Sequence, residues 1–209
     1  PAAFSGRILS QVDWVYQEGG ENAYSPAQIR NLGPEYPQCG IPVGNDAFDA
    51  FPQSIVQIMT SSVVAQGCRT FFFFMQGREG DGRFADYKYN FLAQINSDTE
   101  AKSPYIKGAR PITAAGLYHS ESSNIALSVD ANRADDWMLL PSMAGGIIDA
   151  LRRISMPCEL VPSWRLCDEE LSRYQLVILA DAVCLSDDEA NIFRRYVQKG
   201  GNLLISGDT

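Results

Sequence analysis

Side chains able to do chemistry gather in three polar stretches, each directly behind an apolar run. Glu18 and Glu21 follow VDWVYQ, Arg78, Glu79 and Asp81 follow FFFFM, and His119, the single histidine, follows ITAAGLY. Glutamate and aspartate can serve as general acid, general base or nucleophile, given a partner and a shielded site. Trp14 and Tyr16 alternate with Val15, so on a strand they share a face. Such a pair offers a flat platform for a ligand, and equally an aromatic filling for a core. Glu18 has two plainer readings: a solvated loop acid, or a carboxylate that accepts from ligand hydroxyls without attacking. Arg78, Glu79 and Asp81 could bind polar groups of a substrate or simply pair with one another on the surface.

Other chemistries fit less well. Cys184 follows a buried-looking strand, but a nucleophilic thiolate needs a base and an oxyanion hole. His119 lies behind a different strand, and Val183 and Leu185 are too bulky for a tight elbow, so packing is the expected role of Cys184. With one histidine and no C-x-x-C pair, a zinc site would have to be built mostly from carboxylates, and no metal is assigned. Ser120, Ser122 and Ser123 give the stretch 119–124 the hydroxyls of a phosphate-binding loop. It also carries Glu121, lacks glycine and leads into no clear helix, so no nucleotide or flavin cofactor is assigned.

These residues need a scaffold, and the composition supplies one. A chain of 209 residues with 45% hydrophobic content can bury a core as one large domain or two modest ones. The net charge of −8 argues against nucleic-acid and anionic-membrane partners, whose phosphates require clustered Lys and Arg. Apolar runs are strand-sized, too short to span a bilayer. Cys39, Cys68, Cys158, Cys167 and Cys184 are odd in number and scattered, which favours buried free thiols and a reducing, cytoplasmic compartment without fixing the location.

In chain order, 8–16 reads as a strand ending in aromatics, and 24–51 as a long irregular segment rich in Pro and Gly. Pro52 suits a helix start, Ile55, Met59 and Val63 repeat every four residues, and Gly67 closes that helix. The run 70–75 is a strand too apolar for a wet face, and Phe84, Tyr87, Phe91, Leu92 and Ile95 mark the next helix. The stretch 97–110, with Pro104 and Gly108, reads as a boundary between domains at 1–107 and 108–209. Beyond it come a strand at 112–118, a helix on Met143, Ile147, Ala150, Leu151 and Ile154, a short strand at 158–161 and a turn of helix at 168–171. The last stretch is the clearest. Leu176 to Ala180 is an apolar strand, and Ser186 to Glu189 has capping-box spacing. Ala190, Phe193, Tyr196 and Val197 share a helical face, Gly200-Gly201 stops it, and Leu203-Leu204-Ile205 begins a second buried strand. The polar residues fall at carboxyl ends of strands, where parallel α/β folds place their sites.

The segments GIIDALRRISMPCELVP, LSRYQLVILADAVCLSDDEANIFRRYV and KGGNLLISGDT resemble the trimerisation-type, glutamine-amidotransferase-like domain of certain β-galactosidases and related glycoside hydrolases. The upstream half, with its glutamate-bearing strand end, long loop, helix FPQSIVQIMTSSVVAQGCR and aromatic strand, is similar to the end of their (β/α)8 barrel. The resemblance implies an α/β chain: the C-terminal part of a barrel, then a flavodoxin-like parallel-sheet domain cut short at its C-terminus. It implies a carbohydrate substrate and a homo-oligomer in the full-length protein. It also implies two carboxyl groups that cleave a glycosidic bond. Glu18 matches the nucleophile by its place after VDWVYQ, although the family follows that glutamate with a polar residue and here Gly19 stands there. Trp14, Tyr16, Arg78 and Asp81 become candidates for substrate binding. The acid partner belongs to an earlier strand outside this sequence, so the fragment alone is expected to be inactive. The alternative is a non-catalytic assembly or carbohydrate-binding protein of the same architecture, and a third is a flavodoxin-type small-molecule binder. Antiparallel pairing between the Glu18 strand and the phenylalanine strand would exclude a barrel.

Overall fold

The computed structural model describes residues 16–18, 30, 38–43, 51–73, 86–109, 112–129, 139–207 and 209. The described residues fall into two compact units, one within Asp13–Pro111 and one within Ile112–Thr209.

The first unit holds β1 (Tyr16–Glu18), β2 (Gln38–Pro42), α1 (Gln53–Ala65), β3 (Arg69–Phe73) and α2 (Asp86–Ile106). The sheet runs β1-β2-β3, and both pairings are parallel. Strand β2 lies inside the segment expected to be irregular. Its Pro and Gly disguise it, yet Cys39, Ile41 and Val43 alternate and are wholly buried. They pack with Val56, Met59 and Val63 of α1, Phe91 and Ile95 of α2, and Cys68, with Phe72 at the edge of the same cluster. Each fully buried aliphatic side chain contributes roughly 1.5–3 kcal/mol relative to an exposed one. The expected helix face is turned slightly. Val56 and Thr60 join Met59 and Val63 inside, while Ile55 is 44% exposed. Helix α2 continues to Ile106 through the stretch read as a boundary, with Pro104 accommodated in its last turn.

The second unit holds β4 (Ala115–His119), α3 (Glu121–Val129), α4 (Leu139–Arg153), β5 (Cys158–Pro162), α5 (Asp168–Leu171), β6 (Leu176–Ala180), α6 (Asp187–Gln198) and β7 (Asn202–Ser206). Its sheet is again all parallel, in the order β5-β4-β6-β7. Buried Tyr118, Val161, Leu171, Tyr174, Val177, Leu179, Phe193 and Tyr196 form its core. The predicted β6–α6–β7 unit is present, including both hydrogen bonds of the capping box between Ser186 and Glu189. Gly200 takes φ +94°, a left-handed conformation that glycine adopts without steric cost, and ends the helix.

Several expectations shift. The first strand begins at Ala115, with Ile112 88% exposed ahead of it. The helix face lacks Val197, which is 46% exposed because the buried side of α6 runs through Phe193 and Tyr196. In α4, Ile148 is the buried residue and Ala150 faces outward, one position off the expected stripe. Strand β7 is a sheet edge, with Leu204 and Ile205 half exposed where a buried strand was expected. Among the described residues, no helix is long and apolar enough to cross a membrane.

Candidate functional site at a parallel sheet edge

The carboxyl ends of the first sheet carry the main candidate. Glu18 is the last residue of β1, in register with Gly40 of β2, which is in register with Phe71 of β3. The expected loop position of Glu18 is therefore a strand end. Strands β1 and β3 do not touch directly. Both run parallel to the intervening β2, so the expected direct pairing is absent, and so is the antiparallel pairing that would exclude a barrel. Tyr16 stands two positions earlier, opposite Gln38. Trp14, Glu21, Arg78, Glu79 and Asp81 lie outside the described residues.

Alternation sorts the strands into two faces. Cys39, Ile41, Val43 and Phe72 belong to the helix-covered core, which leaves Gly40, Pro42, Phe71 and Phe73 on the other face. Gly40 has a steric reason to be glycine: a Cβ there would stand 2.8 Å from Phe71 Cζ and 3.1 Å from Phe73 Cε1. The Phe71 and Phe73 rings lie 6.1 Å apart, tilted by 39°. Sequence reasoning missed this row because β2 was hidden. The signal was present in the alternation of Cys39, Ile41 and Val43.

The carboxyl ends of the second sheet are differently furnished. His119 ends β4, and Ser120 caps a helix that the sequence did not reveal. Ser120 Oγ accepts from the Ser123 amide at 3.1 Å, and its carbonyl accepts from Asn124 at 3.0 Å. Serines have modest helix propensity, so α3 left little trace in the composition. The loop after β6 is fastened over this helix start. Ser123 Oγ accepts from the Cys184 amide at 3.0 Å, and the hydroxyls of Ser120 and Ser123 each reach the Cys184 carbonyl at 3.3 Å. The hydroxyls that resembled a phosphate loop are thus engaged by the protein itself. Burial lowers the His119 pKa from 6.5 to about 4, and Asn124 Nδ2 lies 3.0 Å from its Nε2. The ring is neutral near pH 7, with Nε2 as acceptor. Among the described residues, no group of three or more His, Cys, Asp or Glu side chains is arranged to hold a metal ion.

One further pair of carboxylates merits comparison with a catalytic pair. The Tyr174 hydroxyl lies 3.0 Å from Glu170 Oε1 and 3.3 Å from buried Glu159 Oε2. Arg173 donates to the same two oxygens at 2.6 and 3.0 Å, and Arg165 donates to Glu170 Oε2 at 3.2 Å. Glu159 sits at the amino end of β5, away from the edge where parallel sheets hold ligands. The cluster ties β5 to the approach of β6 and is structural.

Both units are therefore parallel α/β assemblies with polar residues at carboxyl strand ends. That fold is shared with part of several solved β-galactosidases. A GH42 β-galactosidase from G. stearothermophilus matches 97% of this chain and 34% of its own, at 13% identity and TM-score 0.72. The β-galactosidase from Bacillus circulans sp. alkalophilus matches 98% and 34%, at 15% identity and TM-score 0.73. That from Rahnella sp. R3 also matches 98% and 34%, at 15% identity and TM-score 0.75. The chain spans about a third of the length of these proteins. No family model and no curated protein matches the sequence.

Proposed function

We propose that this chain is part of a β-galactosidase-like glycoside hydrolase. In this reading the Asp13–Pro111 unit supplies late βα units of a (β/α)8 barrel, and the Ile112–Thr209 unit is a flavodoxin-like assembly domain. The observation that carries the reading is the position of Glu18. It ends a strand at the carboxyl edge of an all-parallel sheet, within a fold matched along nearly its whole length by β-galactosidases. Glu18 is the candidate nucleophile, attacking the anomeric carbon while an acid elsewhere in the full-length protein protonates the departing oxygen. Tyr16, Trp14, Arg78 and Asp81 are candidates for holding the sugar. The strand order second-first-third-fourth in the second sheet supports the flavodoxin-like assignment. Its hydroxyl-rich crevice is engaged by the Cys184 loop, which favours assembly over cofactor binding there.

The test uses the full-length protein and aryl β-galactosides. Glu18→Gln is expected to lower kcat by at least about a thousandfold. Azide added to Glu18→Ala should restore leaving-group release by forming a glycosyl azide of inverted configuration. Undiminished turnover in Glu18→Gln would remove Glu18 from the mechanism.

A further inference from the structure

Strand β7 ends the second sheet, with no strand on its outer side among the described residues. Alternate residues of a parallel strand bond to a given neighbour. The Asn202 amide donates to the Gln175 carbonyl at 3.3 Å, and the Ser206 carbonyl accepts from the Asp181 amide at 3.2 Å. Asn202, Leu204 and Ser206 thus bond toward β6, and the backbone N–H and C=O groups of Leu203 and Ile205 point outward. Such an edge is usually blunted by lysine, proline or a bulge, and β7 has none of these. It is apolar on both faces instead. Leu203 packs against the core cluster that holds Phe193 and Tyr196 of α6, and Ile205 follows on that face at 53% exposure. Leu204 stands on the other face at 50%.

We infer that β7 pairs antiparallel with β7 of a second copy of this chain, about a two-fold axis through Leu204. That register sets Leu203 opposite Ile205 of the second copy, where each pair exchanges both ladder hydrogen bonds, and sets polar Asn202 opposite polar Ser206. The charge pattern of α6 favours a second copy as the occupant. Arg195 and Lys199 turn toward Asp168 of α5, at 3.0 and 3.3 Å. The helical repeat puts Asp187, Arg194 and Val197 on the opposite flank, and all three are exposed. Because α6 joins β6 to β7, that flank overhangs the free edge. A two-fold axis normal to the sheet lays the two α6 helices side by side in opposite directions, so Asp187 of each copy faces Arg194 of the other. This deepens the assembly reading of the second unit and rests on it.

Sedimentation equilibrium of the full-length protein reads the association directly. Ile205→Lys is expected to weaken it by at least about tenfold, by placing a charge in the edge. Asp187→Arg and Arg194→Asp, both at exposed helix positions, should each weaken it by about threefold, and the double reversal should restore it. Damage to the fold would give no such restoration. If the full-length protein is monomeric, this surface and the assembly reading fall together. If it is an oligomer and none of these variants moves the equilibrium, the surface is refuted and the assembly reading stands. Hydrogen exchange at the Leu203 and Ile205 amides supplies a second check. Protection lost on dilution to the monomer is expected, whereas protection that persists in the monomer means another strand of the same chain covers the edge, which overturns the pairing.

Discussion

Tyr118 donates its hydroxyl proton to Glu189 Oε1 at 2.6 Å, joining the middle strand of the second sheet to the cap of the helix beyond β6. The other oxygen of the same carboxylate accepts from the Ser186 amide at 2.8 Å and from the Ser186 hydroxyl at 2.9 Å. One side chain thus closes the capping box and anchors a strand. The Tyr118 ring also meets Phe193 edge-on, with centroids 5.1 Å apart. Glu189→Ala is expected to cost about 1–3 kcal/mol, because it removes a cap and leaves the buried Tyr118 phenol without its acceptor. Tyr118→Phe should cost about 1 kcal/mol. Urea unfolding of both single variants and the double variant should show non-additivity, and simple additivity would mean the two residues act separately.

The acid limb of stability has two separable parts. His119 is held neutral by burial, its pKa lowered from 6.5 to about 4. The unfolded chain therefore binds the proton first, and stability present above about pH 6.5 is lost as the pH falls toward 4. At about 1.4 kcal/mol per pH unit, this amounts to roughly 3 kcal/mol at most. Glu189 is also lowered. Its burial works upward, but hydrogen bonds from Tyr118 and Ser186 outweigh it, so its contribution is lost only at lower pH, as the carboxylate protonates. Melting curves of His119→Gln should be flatter than wild type between pH 6.5 and 4 and should run parallel below that.

Burial raises both the Cys39 and the Cys68 thiol to about 12. Since only the thiolate reacts, alkylation at pH 8 should spare these two until the unit opens. Cys167 is exposed and should be labelled first. Peptide mapping after brief labelling decides the order, and early modification of Cys39 would show that the core around it is loose.

Ile41 is fully buried between the sheet and α1. Ile41→Ala should destabilise by about 2–5 kcal/mol through lost burial and a residual cavity. Gly40→Ala acts in the opposite sense, by overfilling. Its methyl group meets two rings, at an expected cost of about 1–3 kcal/mol. Calorimetry distinguishes a true strand from the irregular loop suggested by Pro37 and Pro42, because a loop would tolerate both changes.

The parts of the fold that could be read ahead were those in which one local rule acted without competition. The run from Leu176 to Ala180 has no polar residue, Ser186 and Glu189 stand at capping distance, and Gly200 follows directly. Strand, helix start and helix stop all emerged there. Strand β2 stayed hidden because Pro37, Gly40 and Pro42 signal turns, although Pro42 is the last residue of the strand and Gly40 admits two rings. Helix α3 stayed hidden because its start is three serines, whose capping role shows only once Ser120 meets the Ser123 amide. Glu18 near a strand end was legible, and its register with Gly40 and Phe71 was not. The first needed only position along the chain, and the second needed register between strands.

The parallel pairing of β4 has a consequence for how the second unit is made. Ala115 takes Cys158 on one side and Leu176 on the other, so the earliest strand of this sheet becomes its centre. Neither partner is a near neighbour in sequence, and each contact requires a long loop to close before any ladder hydrogen bond forms. On a ribosome, β4 would emerge and wait through two helices before its first partner arrived. An apolar strand left waiting is a target for chaperones and for misassociation, and refolding from denaturant should be slow and sensitive to protein concentration.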